Sequence, residues 1–243
     1  MVPRPIESAS GAVVAHPAAT VVLLRDGAEG CEALLVRRNA RLSFHGGAWV
    51  FPGGRIDPAD HAAAGGSDII AVARHAAVRE AAEEAGVTLA HGDLSLFSRW
   101  VTPEEAPKRF DTWFFLARVH TDRVRVDGGE IHDYRWLRPH AALAARAAGE
   151  IDLPPPTFVT LTQIAPYRGA AEVLATAASG GCEEFVPRLR LAEDGACTVY
   201  AGDVAYTGGD LHAAGPRHRL WMRDTGWEYE RIDVVSLTQN TER

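Results

Sequence analysis

Cysteine is scarce in this chain of 243 residues: Cys31, Cys182 and Cys197 are all it has, odd in number and far apart. They supply neither a disulfide framework nor the paired spacing of a zinc site, which points to a reducing compartment. No apolar run approaches the roughly 18 residues of a membrane span. The opening MVPRPIESAS lacks the basic-then-apolar layout of a secretion signal, and the end, NTER, is not a peroxisomal Ser-Lys-Leu tail. A cytoplasmic location with no membrane partner is therefore expected. Positive charge is not in excess either. Against 32 Asp and Glu stand 25 Lys and Arg, a net charge of −7 that gives no electrostatic footing for long nucleic acid. The ten histidines show no paired ligand spacing, and repeats and low-complexity tracts are absent. What is present, 47% hydrophobic and 23% charged, is the composition of an ordinary globular protein able to bury a sizeable core.

Three regions are expected. Residues 1–16 are small and aperiodic and read as a flexible arm. Residues 17–148 alternate strand and helix signals: a hairpin from ATVVLLRDG (19–27) and CEALLVRR (31–38), a short strand broken at Pro52, Gly53 and Gly54, and a polar loop with a flexible AAAGGS (62–67). A helix follows over 68–85, capped by Ser67 or Asp68 and stopped by Gly86. Strands are expected at 94–101, 112–120 and 131–137, and a helix at 139–148 opening with Pro139. Residues 149–243 are expected as an extension packed on the same domain. It has a helix over about 157–178 and short β segments around 185–191, 197–201 and 218–222.

The 68–85 helix ends in REAAEEAG (79–86). Glu80, Glu83 and Glu84 are spaced i, i+3, i+4 and so share one face. Such a face can be a solvated acidic stripe, partly neutralised by Arg79. Yet like charges one turn apart repel, and carboxylates near a helix C-terminus oppose its dipole. A divalent cation would reverse both penalties, and oxygen ligands suit Mg²⁺ or Mn²⁺ rather than Zn²⁺.

PGGRIDPAD (52–60) followed by REAAEEAGV (79–87) resembles the signature box of the Nudix hydrolases, with Gly54, Arg79, Glu80, Glu83, Glu84, Gly86 and Val87 on its defining positions. Three departures stand out. The acid five residues after Gly54 is Asp60 instead of Glu, eighteen residues instead of seven separate it from Arg79, an insertion of about eleven, and Ala81 is a small version of the aliphatic position. Asp60 stands either as a site acid or as an ordinary Asx turn. The resemblance implies an α/β/α sandwich with a mixed sheet and an enzyme that hydrolyses a nucleoside diphosphate linked to another moiety. It also implies Mg²⁺ or Mn²⁺ held by Glu80, Glu83 and Glu84. Arg79 is expected to fix the glutamate rotamers. The catalytic set is then Glu83, Arg79 and Glu130, the last a ligand or general base from DGGEIHDYRW (127–136), with Glu104 and Glu105 as the rival source.

Residues 33–60 are loosely similar to the extended segment of the coenzyme A diphosphatase branch, through Leu34, Leu35, Arg38, Asn39, Gly47 and the Phe-Pro-Gly-Gly at 51–54. TPEEAPKRFDTWFF (102–115) and the insertion extend that likeness. Coenzyme A or acyl-CoA is accordingly the expected substrate. ADP-ribose, a dinucleotide, or a non-catalytic nucleotide-sensing role are the alternatives. Substrate contacts are expected from Arg38, Gly53, Gly54 and Arg55, because the Gly loop and the end of the second strand converge there and Arg suits phosphate. Phe44, Trp49 and Phe110 could stack an adenine, or be core. The apolar extension beyond 150 motivates an expected homodimer.

Overall fold

The computed structural model describes residues 13–41, 45–121, 123–126 and 128–234. Most of the arm expected over 1–16 lies outside them, as does Phe44; His16 already opens the first strand. The chain divides into two compact units. The larger comprises residues 17–98 and 112–182, and the smaller takes the remainder, including 99–111 and 183–234. The smaller unit thus takes the chain from 183 together with a short insert, 99–111, from its middle.

In chain order the larger unit contains β1 (His16–Gly27), β2 (Gly30–Arg38), β3 (Trp49–Val50), β4 (Gly53–Arg55), α1 (Pro58–Ala64) and α2 (Ile69–Ala85). There follow β5 (Ser95–Val101) and β6 (Phe110–Arg118), whose far ends belong to the smaller unit. The larger unit continues with β7 (Ile131–Leu137), α3 (Pro139–Ala147), α4 (Pro155–Ile164) and α5 (Ala170–Gly180). Its mixed sheet runs β3-β2-β1-β6-β5, with β4 antiparallel on β1 and β7 antiparallel on β2.

Strand periodicity places the core. Val21 and Leu23 of β1, with Leu34 and Val36 of β2, pack against α2. Their neighbours Val22, Leu24, Ala33 and Leu35 point the other way and are equally buried. Both faces of the sheet are therefore covered, as an α/β/α sandwich requires. α2 approaches closely because its inner face is small: Ala73, Ala77 and Ala81 are fully buried and Ile70 packs at the margin. Asp68 caps it by accepting from the Ile70 N–H, and Gly86 at φ 65° ends it in the left-handed conformation that costs glycine least.

Two expectations fail here. The stretch read as a polar loop contains α1, nucleated by Pro58 at its first turn and by a capping box between Asp57 and Asp60. The helix expected over 157–178 is two helices, α4 and α5. Pro166 has no N–H to donate and its ring blocks the preceding turn, so the chain restarts at Ala170.

The smaller unit adds β8 (Glu183–Phe185), β9 (Arg188–Ala192), β10 (Gly195–Val199), α6 (Ala205–Gly208), β11 (Arg217–Arg223) and β12 (Gly226–Ile232). β9 to β12 form an antiparallel sheet in the order β12-β11-β10-β9. β12, polar along much of its length, has no counterpart in the sequence reading. Trp100 stacks on Phe185 at 3.9 Å, with Tyr200 edge-on to both.

Candidate active site

The carboxylates meet the sheet at β4. Gly53 lies so close to β1 that a Cβ would sit 2.5 Å from the Ala19 carbonyl oxygen. A Cβ on Gly54 would collide with the Glu80 carboxyl, whose Cδ would be 2.7 Å away. The Gly53 N–H donates to Glu84 Oε2 at 2.9 Å. The two glycines thus let the α2 carboxylates press against β4. The Gly53 amide, expected to serve a substrate phosphate, here donates to Glu84.

Glu80 and Glu84 are 9% and 6% exposed, which rules out a solvated stripe for these two; only Glu83 is well exposed. Burial raises the Glu84 carboxyl to about 8, and repulsion from Glu80 and Glu130 adds to the shift. The Gly53 N–H and the Arg38 charge offset only part of it. Burial likewise raises Glu80, assisted by Glu83 and Glu130 and opposed by Arg79. Two acids that burial and mutual repulsion push toward the neutral form would be relieved by a divalent cation.

Arg79 organises the rest. Its Nε and Nη2 donate to Asp60 at 3.2 and 2.9 Å, Nη2 also to the Arg55 carbonyl at 2.9 Å, and Nη1 to Glu80 at 2.8 Å and Glu83 at 2.9 Å. Asp60 is buried, and its Oδ2 also accepts from the Asp57 N–H at 2.8 Å. Burial alone would raise the Asp60 carboxyl, but the Arg79 and Asp57 hydrogen bonds hold it below its ordinary value. Asp60 therefore both closes the α1 capping box with Asp57 and anchors Arg79. The insertion forms the α1 brace that carries it.

The remaining expected residues divide. Glu130 is exposed, yet its charge reaches Glu80 and Glu84. Arg38 acts on Glu84, and its buried Nε has no hydrogen-bond partner. Arg55 contributes its backbone carbonyl to Arg79, while its side chain is exposed. Glu104, Glu105 and Phe110 belong to the smaller unit. Among the described residues no three acidic, His or Cys side chains converge as a preassembled metal cage. The donor set still fits a hard divalent ion, because Glu80, Glu83 and Glu84 supply only oxygens from one helical face.

The comparisons agree with this geometry. The Nudix domain model matches residues 14–155, more than half of the chain. The chain belongs to the Nudix hydrolase family. Among curated proteins it is similar to the acyl-coenzyme A diphosphatase NUDT19 of Xenopus laevis, 30% identical over 46% of this chain and 32% of that protein, and to the Homo sapiens protein of the same name, 31% identical over the same shares. A putative nudix hydrolase 7 of Caenorhabditis elegans is 28% identical over 56% of each chain. The matched stretch thus spans about a third of the two diphosphatases. A solved Nudix hydrolase from Alicyclobacillus acidocaldarius superposes with TM-score 0.62 at 28% identity, covering 68% of this chain and 98% of that one.

Proposed function

We propose that the chain hydrolyses the pyrophosphate bond of a nucleoside diphosphate linked to another moiety, with coenzyme A or acyl-CoA as substrate and 3′,5′-ADP and a phosphopantetheine as products. The observation that carries the reaction is the buried, like-charged Glu80–Glu84 pair pressed against Gly53 and Gly54. The substrate choice is supported by the relatives named acyl-coenzyme A diphosphatase and by the segment around Arg38. Glu80, Glu83 and Glu84 would hold Mg²⁺ or Mn²⁺, which when bound screens the anionic bridge and lowers the pKa of a water.

Each residue then has a task. Arg79, fixed by Asp60 and the Arg55 carbonyl, sets the Glu80 and Glu83 rotamers. The Arg38 guanidinium neutralises phosphate charge beside Glu84. Glu130, at the open side of the carboxylate face, accepts a proton from the attacking water.

Product chromatography after incubation with coenzyme A, ADP-ribose, dinucleotides and simple phosphomonoesters, with Mg²⁺ or Mn²⁺, tests this reading. Release of 3′,5′-ADP from coenzyme A, and no phosphate from monoesters, is expected. Cleavage of ADP-ribose to AMP and ribose 5-phosphate without turnover of coenzyme A would overturn the substrate. No turnover of any diphosphate derivative would overturn the reaction and favour nucleotide sensing.

A further inference from the structure

Behind β2, on the sheet face opposite α2, lies an open cavity of about 420 Å³ lined by Arg37, Gly47, Trp49, Arg146, Ile151 and Asp152 among others. Arg37, at the end of β2, lines this cavity, whereas the charge of the next residue, Arg38, acts on Glu84. The cavity and the carboxylate site therefore flank the same strand end. Electrostatics link them. The His45 imidazole, lowered by desolvation, is raised by Asp152 of the cavity and lowered by Arg38, whose charge in turn reaches Glu84.

The lining asks for an anion. Arg37 makes one long hydrogen bond, Nε to the Gly47 carbonyl at 3.4 Å, and pairs with no carboxylate among the described residues. Burial disfavours the charged form of Arg146, with Asp152 in opposition. Asp152 and its neighbour Glu150 are themselves exposed, so water screens their repulsion of an incoming anion. Trp49 is 3% exposed and covered by Arg135, 4.6 Å above its ring. It is a wall of this cavity and not a stacking platform, which removes the adenine-stacking role considered for it.

We propose that this cavity receives a phosphate monoester carried by the substrate away from the scissile pyrophosphate, of the kind on the 3′ position of the coenzyme A ribose, clamped by Arg37 and Arg146. Paired guanidiniums match the geometry of a dianionic phosphate, and the volume suits a nucleotide end. The inference rests on the pyrophosphatase reading and narrows it to substrates bearing a third phosphate.

The test compares coenzyme A with 3′-dephospho-coenzyme A, on the full chain and on Arg37→Gln and Arg146→Gln. In the unaltered chain kcat/KM should favour coenzyme A by about tenfold or more, the loss expected when charged hydrogen bonds go unmade. Each variant should reduce that preference to within about threefold while leaving 3′-dephospho-coenzyme A turnover unchanged. Arg37 is exposed, so its variant decides the matter even if Arg146→Gln fails to fold. Equal turnover of both compounds by the unaltered chain, or a preference that survives Arg37→Gln, would overturn the proposal. Should neither compound be cleaved, the pyrophosphatase reading fails separately. Calorimetric titration with 3′,5′-ADP and 5′-AMP then decides: tighter binding of 3′,5′-ADP, lost in Arg37→Gln, supports the cavity, and equal binding overturns it.

Discussion

Two buried charge clusters, one in each unit, are built to opposite rules. In the smaller unit Asp203 and Arg219 are essentially inaccessible and joined by two hydrogen bonds of 2.6 and 2.7 Å. Asp203 accepts further from the His218 and Ala205 N–H groups, and Arg219 donates to the Leu211 carbonyl at 2.8 Å. Burial alone would raise the Asp203 carboxyl, but Arg219 and the two N–H groups hold it below its ordinary value. In the larger unit Glu80 and Glu84 are buried beside each other, and the Arg79 and Arg38 charges fall short of balancing them. Balanced charge fixes a structure; unbalanced buried charge of one sign is retained where a ligand of the other sign completes it.

The largest expected effect follows from breaking the unbalanced cluster. Glu84→Gln should lower metal-dependent turnover on the order of 10²- to 10⁴-fold, since a neutral amide supports nucleophile activation poorly. Without added metal it should raise the melting temperature at neutral pH and above, because burial holds the Glu84 carboxyl well above its unfolded pKa and an amide escapes that penalty; a melting scan reads this directly. Asp203→Asn should do the reverse to stability. It leaves Arg219 buried and unpaired, which costs roughly 3–5 kcal/mol, measurable by urea unfolding of the unit that contains it.

Next in size is Asp60→Asn, which loosens Arg79 and should reduce turnover by roughly 10- to 100-fold, as outer partners of ligating groups commonly do. Asp60→Glu, the residue usual in the family's box, should recover part of that loss if anchoring is the task. The smallest effect concerns acid. The folded pKa of Asp203 lies below its unfolded value, so its contribution is complete above about pH 4 and is lost as pH falls through the folded pKa. Unfolding of the smaller unit below about pH 4 should lose part of its pH dependence in Asp203→Asn.

The unbalanced cluster was legible in the sequence and the balanced one was not. The i, i+3, i+4 glutamates, the Asp68 cap, the Gly86 stop and the alanine face of α2 are local patterns, each within two helical turns. Asp203 and Arg219 lie 16 residues apart and meet only because β11 returns beside the end of β10. Asp60 was ambiguous for a similar reason. Its capping bond is local, while its bond to Arg79 depends on an α1 helix hidden in an alanine- and glycine-rich stretch. A Pro-Gly-Gly turn permits phosphate contact, while nothing local says that Glu84 takes the Gly53 amide. Pro166 is by contrast a purely local signal for the break between α4 and α5.

The contrast between the clusters turns on whether Glu80 and Glu84 are completed by a divalent cation. Titration of the substrate-free protein with Mn²⁺, followed by electron paramagnetic resonance, addresses that without relying on turnover. We expect the unaltered chain to bind Mn²⁺ and the Glu80→Gln/Glu84→Gln double variant to lose that binding while keeping its fold by circular dichroism. Absence of binding to the unaltered chain, or equal binding to the double variant, would contradict the account.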